Sequence, residues 1–173
     1  MPDVILTDRQ GRAVGSAEIK DAHTGSGKLH KAFSIYVFRK NKREILIQRR
    51  STAKMLWPGI WANTCCSHPR KDESPLAAGT RRLTEELGFT TDLHEGGTFV
   101  YRAEDGKRGV EHEHVTILIG NTDDAVAEAN PDEVVEWKWI DLPSLQTDMK
   151  KNPDQYAPWF HLGLAQILSA AHV

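Results

Sequence analysis

The chain has 173 residues, 39% hydrophobic and 27% charged, a balance that excludes a fibrous or wholly disordered protein and predicts one globular domain over residues 1–173. A formal charge of -2 and an isoelectric point near 6.4 exclude a broadly basic surface, so nucleic acid is not an expected partner, although a local basic pocket for a small anion stays open. No apolar run approaches the roughly 20 residues of a membrane helix, the N-terminal stretch lacks the pattern of a secretory signal, and the adjacent thiols Cys65 and Cys66 would strain the backbone if paired, so the expected compartment is a reducing cytosol.

Residues 4–19 read as a hairpin, because two short β-prone runs flank Asp8-Arg9-Gln10-Gly11, whose aspartate and glycine suit a turn. A polar loop follows over 23–30. Residues 33–38 and 45–48 are short apolar strands around the charged turn 39–43, and 57–69, with two prolines and a glycine, reads as irregular. A helix starts at Ser74 as N-cap with Pro75 in the first turn and stops at Gly88. Its Leu76, Leu83 and Leu87 share one stripe toward a core, which turns Arg81, Arg82, Glu85 and Glu86 largely away from it. Residues 110–119 and 134–140 read as strands, and Phe160, Leu164, Ile167 and Ala171 suit an amphipathic C-terminal helix. Strands mixed with a few segregated helices predict an α+β fold in α/β/α layers, a mixed sheet flanked by helices.

Chemistry-bearing residues fall within this frame. Glu111 and Glu113 lie two apart in a strand, on the face continued by Val115, Ile117 and Ile119, while His112 and His114 point the other way. Two carboxylates on a core-facing row are unfavourable unless a cation or protons neutralise them, which points to a metal or catalytic site; the alternative is a strand that frays at Glu111 and leaves both solvated. His23, His30 and His68 sit in loop-like segments that present ligands easily, but their spacing fits no local zinc motif and equally suits surface histidines. Three imidazoles with two carboxylates would suit Mn²⁺, Zn²⁺ or Mg²⁺. His68 and nearby cations could stabilise a Cys66 thiolate, against a plain buried cysteine, the reading given to Cys65. Lys20, Arg50, Lys54 and Arg82 form an anion clamp only if the fold gathers them.

Ser67, Glu73 and the run Arg81-Arg82-Leu83-Thr84-Glu85-Glu86-Leu87-Gly88-Phe89 resemble the Nudix box, with Ser67 in place of its glycine and Arg82 in place of a helix glutamate. The same departures, with Leu29-His30-Lys31-Ala32-Phe33-Ser34, the run from Trp57 to Pro69, Glu111-His112-Glu113 and Ala157-Pro158-Trp159-Phe160, resemble the type I isopentenyl-diphosphate isomerases over about residues 19–160. That resemblance implies a metal held by His23, His30, His68, Glu111 and Glu113, Cys66 and Glu113 as the acid–base pair, and a second, substrate-associated Mg²⁺ helped by Glu86. It further implies that Lys20, Arg50, Lys54 and Arg82 bind the diphosphate or support its site and that Tyr101 hydrogen-bonds Glu113. The face of Trp159 would stabilise a carbocation, with Trp57, Trp61 and Trp159 as an apolar lining. The implied partner is a five-carbon diphosphate, handled by a monomer or homodimer without a membrane. The competing readings are a Nudix hydrolase of a nucleoside diphosphate derivative, burdened by Arg82, and a zinc-stabilised interaction domain using the two cysteines and histidines.

Overall fold

The computed structural model describes residues 2–123 and 128–170. The hairpin of β1 (Asp3–Thr7) and β2 (Ala13–Glu18) leads into the short helix α1 (Ile19–Ala22), then the central strand β3 (His30–Arg39) and β4 (Glu44–Arg50). β5 (Trp61–Ala62) and β6 (Cys65–Ser67) precede α2 (Pro75–Leu87), and β7 (Leu93–Asp105), β8 (Gly109–Asn121) and β9 (Val134–Asp141) precede α3 (Leu142–Lys151) and α4 (Pro158–Ala170). No helix among the described residues is long and apolar enough to cross a membrane.

β3 organises the mixed sheet. It runs parallel to β8 from His30 opposite Glu113 to Phe38 opposite Asn121, and antiparallel to β1, β4 and β6. Because side chains alternate along a strand, Ala32, Tyr36 and Phe38 enter one core with α3 and α4, whereas Phe33, Ile35 and Val37 enter a second core with α2. Buried on both faces, β3 reads as a near-continuous apolar run rather than a clean alternation. The layered α+β expectation holds.

Helix α2 follows its local signals. The Ser74 hydroxyl accepts from the Ala77 amide at 3.1 Å, Pro75 occupies the first turn, and Gly88 ends the helix at φ 69°, a left-handed conformation that favours glycine. The stripe needs two corrections. Leu83 and Leu87 are buried but Leu76 is 37% exposed, and Glu86, expected to face away, is only 1% exposed. Glu86 accepts from Gln48 Nε2 at 3.1 Å and Arg82 Nη2 at 2.6 Å, so specific partners offset its desolvation. The stretch 57–69 is not wholly irregular, since β5 pairs with β4 and β6 with β3. β7 and α3 went unanticipated: β7 carries Gly96 and Gly97 at a register shift, which breaks its alternation, and it is specified by pairing with β8. The C-terminal helix is present, while Ala171 lies outside the described residues.

α4 approaches β3 closely at Gly163, where a Cβ would lie 1.9 Å from Tyr36 Oη and 2.8 Å from its Cζ. Tyr36 is fully buried, and its hydroxyl donates to the Trp159 carbonyl at 3.4 Å. Gly163→Ala is therefore expected to destabilise the fold by about 1–3 kcal/mol, because a packed ring must shift. Urea denaturation with an unchanged midpoint would show that the helix can move aside.

Candidate active site

Strand register brings the site together. His30 opposes Glu113 across the parallel β3–β8 pair, Tyr101 opposes Glu113 across β7–β8, and Ser34 opposes Cys66 across β3–β6. Glu111 and Glu113 share a face with buried Val115 and Ile117, as the alternation predicted, and each is 7% exposed. His23 comes from the end of α1 and His68 from just beyond β6.

His23, His30, His68, Glu111 and Glu113 offer ligand atoms that all lie within 4.8 Å of one another. His23 Nδ1 donates to the Ile19 carbonyl at 2.5 Å and His30 Nδ1 to the Lys28 carbonyl at 2.7 Å, so Nε2 is the nitrogen on each ring that is able to bind an ion. His30 Nε2 lies 3.2 Å from His68 Nε2, and both reach Glu113 Oε2, at 3.2 and 2.9 Å; His23 Nε2 lies 3.1 Å from Glu111 Oε2. Lone-pair nitrogens and two buried carboxylates converging on one point need protons or a cation between them, and three nitrogens with two oxygens fit a divalent ion.

The proton affinities reflect this crowding. Burial and the Glu113 charge push the Glu111 carboxyl up, whereas His30 and His68 overcome burial and hold Glu113 well below the usual carboxylate range. Against burial, which lowers it, the hydrogen bond and charge of Glu111 raise His23 to about 9, while burial drives His68 down to about 4. A cation would take the place of such shared protons.

A cavity of about 290 Å³ opens beside this group; His23, His68, Glu111 and Glu113 line it, together with Cys66 and Trp159. The two thiols point opposite ways along β6: Cys65 packs into the core under α2, and Cys66 faces the cavity. Cys66 Sγ donates to Asn63 Oδ1 at 3.0 Å and accepts from Trp159 Nε1 at 2.9 Å. Burial pushes its pKa up to about 12 despite Arg50 nearby, so Cys66 is a neutral thiol rather than the thiolate that His68 and the cations could have favoured. The hydroxyl of Tyr101 donates to Glu113 Oε1 at 2.7 Å.

Arg50, Lys54 and Arg82 also line the cavity, so the fold gathers three of the four candidate anion-binding cations. Lys20 is exposed on α1 and is not part of the lining. The Arg50 guanidinium lies 5.1 Å over the Trp159 ring. Of the three expected tryptophans only Trp159 faces the cavity; Trp57 packs edge-on against it at 5.5 Å, and Trp61 carries Lys138 over its ring at 4.6 Å.

Two residues escaped the sequence reading. Fully buried Asn63 gives both its N–H bonds to the carbonyls of Ile35 and Cys65, at 2.9 and 3.1 Å, which turns Oδ1 toward Cys66 and Trp159. In sequence it resembles any asparagine of an irregular segment. Glu133 lines the cavity from the segment before β9, where no local pattern marks it.

A mixed sheet between helices carries a buried His/Glu group able to hold a metal beside a cavity lined by basic side chains, the class of arrangement expected of a small-molecule enzyme. The NUDIX domain model matches residues 28–160. The isopentenyl-diphosphate Delta-isomerase 2 of Aromatoleum aromaticum is 42% identical over 166 residues, covering 96% of this chain and 86% of that one. The isopentenyl-diphosphate Delta-isomerase of Nocardia farcinica is 43% identical over 169 residues, covering 97% and 93%. Among solved structures, a MutT NUDIX hydrolase from Burkholderia pseudomallei superposes with a TM-score of 0.59 at 18% identity, over 80% of this chain and 98% of that one, a likeness of fold. The chain belongs to the NUDIX domain family and, within it, to the isopentenyl-diphosphate Delta-isomerases.

Proposed function

We infer that the protein interconverts isopentenyl diphosphate and dimethylallyl diphosphate by a [1,3] proton shift, a step in isoprenoid precursor synthesis. One observation carries the chemistry: a thiol, Cys66, and a carboxylate, Glu113, line the same cavity, with burial pushing the thiol pKa up and His30 and His68 holding the carboxyl pKa down. Moving the double bond requires a proton added at the terminal alkene carbon and another removed from the carbon on the far side of the resulting tertiary cation. Cys66 and Glu113 are the two ends of that transfer, each acid in one direction and base in the other. Tyr101 orients the Glu113 carboxylate, and Asn63 orients the Cys66 proton. Trp159 lends its ring face to the cation, a role supported by the guanidinium already over that ring.

Arg50, Lys54 and Arg82 bind the diphosphate, whose remote binding energy holds the alkene in place; Lys20, exposed on α1, does not line the cavity. When bound, Mn²⁺, Mg²⁺ or Zn²⁺ at His23, His30, His68, Glu111 and Glu113, and Mg²⁺ at Glu86 with the substrate, supply the positive charge that offsets the buried carboxylates and the diphosphate. The cavity of about 290 Å³ sits at the lower bound of the roughly 300–1,000 Å³ typical of small-molecule sites, which suits a five-carbon diphosphate better than a nucleotide. Glu73 is paired with Arg81 at 2.9 Å and Glu85 with Arg82 at 2.7 Å, and Arg82 stands where the Nudix box has a helix glutamate, an arrangement that argues against a hydrolase.

Purified, metal-loaded protein incubated with isopentenyl diphosphate and Mg²⁺ in heavy water is expected to yield deuterated dimethylallyl diphosphate by NMR without phosphate release. Intact, unlabelled substrate would overturn the isomerase assignment.

A further inference from the structure

Glu133 has no part in the roles above, yet it stands on the anion-binding side of the cavity. Its backbone is tied at both ends. The Ser51 amide donates to the Glu133 carbonyl at 3.0 Å, the Glu133 amide donates to the Asn130 carbonyl at 3.0 Å, and the Asn130 amide donates to the Glu86 carbonyl at 2.8 Å. The register between β4 and β9 slips between Arg49 and Arg50, which pair with Glu136 and Val134, so Val135 bulges out and Glu133 arrives beside Ser51. From this anchored position the Glu133 side chain pairs with Lys54 Nζ and, at 3.2 Å, with Arg82 Nη2.

Among the described residues, Lys54 and Arg82 are two of the three lysine and arginine side chains that line the cavity, and they are only 23% and 16% exposed. A carboxylate on both competes for the donors that diphosphate oxygens need. Among the described residues, the buried Nε of Arg82 has no hydrogen-bond partner. We propose that Glu133 is an internal counter-anion that the diphosphate must displace from Lys54 and Arg82, and that it thereby sets how tightly and how briefly diphosphates are held. The inference rests on the isomerase reading for its consequence. Substrate and product carry the same diphosphate, so tighter holding lowers KM without raising kcat and slows product departure. An internal competitor works in the opposite direction for both.

The test is titration of metal-loaded full-length protein with inorganic pyrophosphate at fixed Mg²⁺ by calorimetry, alongside steady-state kinetics. Glu133→Gln keeps the shape and removes the charge, so pyrophosphate should bind about tenfold tighter, as expected for freeing half-buried charged donors. KM for isopentenyl diphosphate should fall in step while kcat does not rise. Glu133→Asp, one methylene shorter but still charged, should tighten binding by only about two- to threefold, and it serves as the second probe if the glutamine variant does not fold. Unchanged or weaker pyrophosphate binding by a folded Glu133→Gln protein, or by Glu133→Asp in its place, would overturn the proposal and make Glu133 a support for the cations. Wild-type protein that binds pyrophosphate without isomerising would sink the isomerase reading separately and leave the Glu133 comparison standing.

Discussion

Replacing Cys66 with alanine is expected to lower isomerisation by about 10³-fold, the scale of a lost acid or base in proton transfer. The fold should survive, because Trp159 Nε1 keeps a second acceptor, Asn63 Oδ1, at 3.1 Å. Only one partner of Asn63 Oδ1 is removed, so the stability cost should be near 1 kcal/mol. Deuterium incorporation followed by NMR measures the effect on the reaction, and thermal unfolding measures the fold. A folded Cys66→Ala protein retaining a tenth or more of wild-type turnover would remove the thiol from the reaction. The same substitution would leave a hydrolase nearly untouched and would release metal from a site built on cysteine, so it separates the three readings that the sequence allowed.

For Glu113→Gln the expected loss is as large, about 10³-fold in turnover, but it has two parts. Glu113 Oε2 contacts both His30 and His68 while Oε1 accepts from Tyr101, so an amide at this position is expected to disrupt the group able to hold a metal as well as one end of the proposed proton transfer. Metal affinity should fall by at least about tenfold. Raising the metal concentration until occupancy returns, as read by elemental analysis, separates the two effects: occupancy should recover and turnover should not. Recovery of both would confine Glu113 to holding the metal.

Features that depend on near neighbours are legible in the order of the residues. Ser74, Pro75 and Gly88 fix both ends of α2 because capping and left-handed geometry act within one turn, and the two-residue spacing puts Glu111 and Glu113 on one face because strand alternation is local. The match to the Nudix box and to the isomerase family's longer motifs named the family and the candidate site residues, which spacing alone left open between ligands and surface histidines. The fold class followed from the order of the elements.

Features that depend on partners far along the chain emerge only on folding. β5 and β6 are too short to carry a pattern of their own and exist through β4 and β3, and β7 needs β8 because its glycine pair hides its alternation. Glu86 is buried because Gln48 and Arg82 meet it there, Leu76 is exposed, and Lys20 stands apart from the cavity that gathers Arg50, Lys54 and Arg82. The neutral state of Cys66 follows from burial among distant residues, and Asn63 and Glu133 acquire their places only when the chain closes on itself. Local geometry is written in the spacing of residues, whereas burial, charge pairing and proton affinity are set by long-range contacts that spacing does not encode.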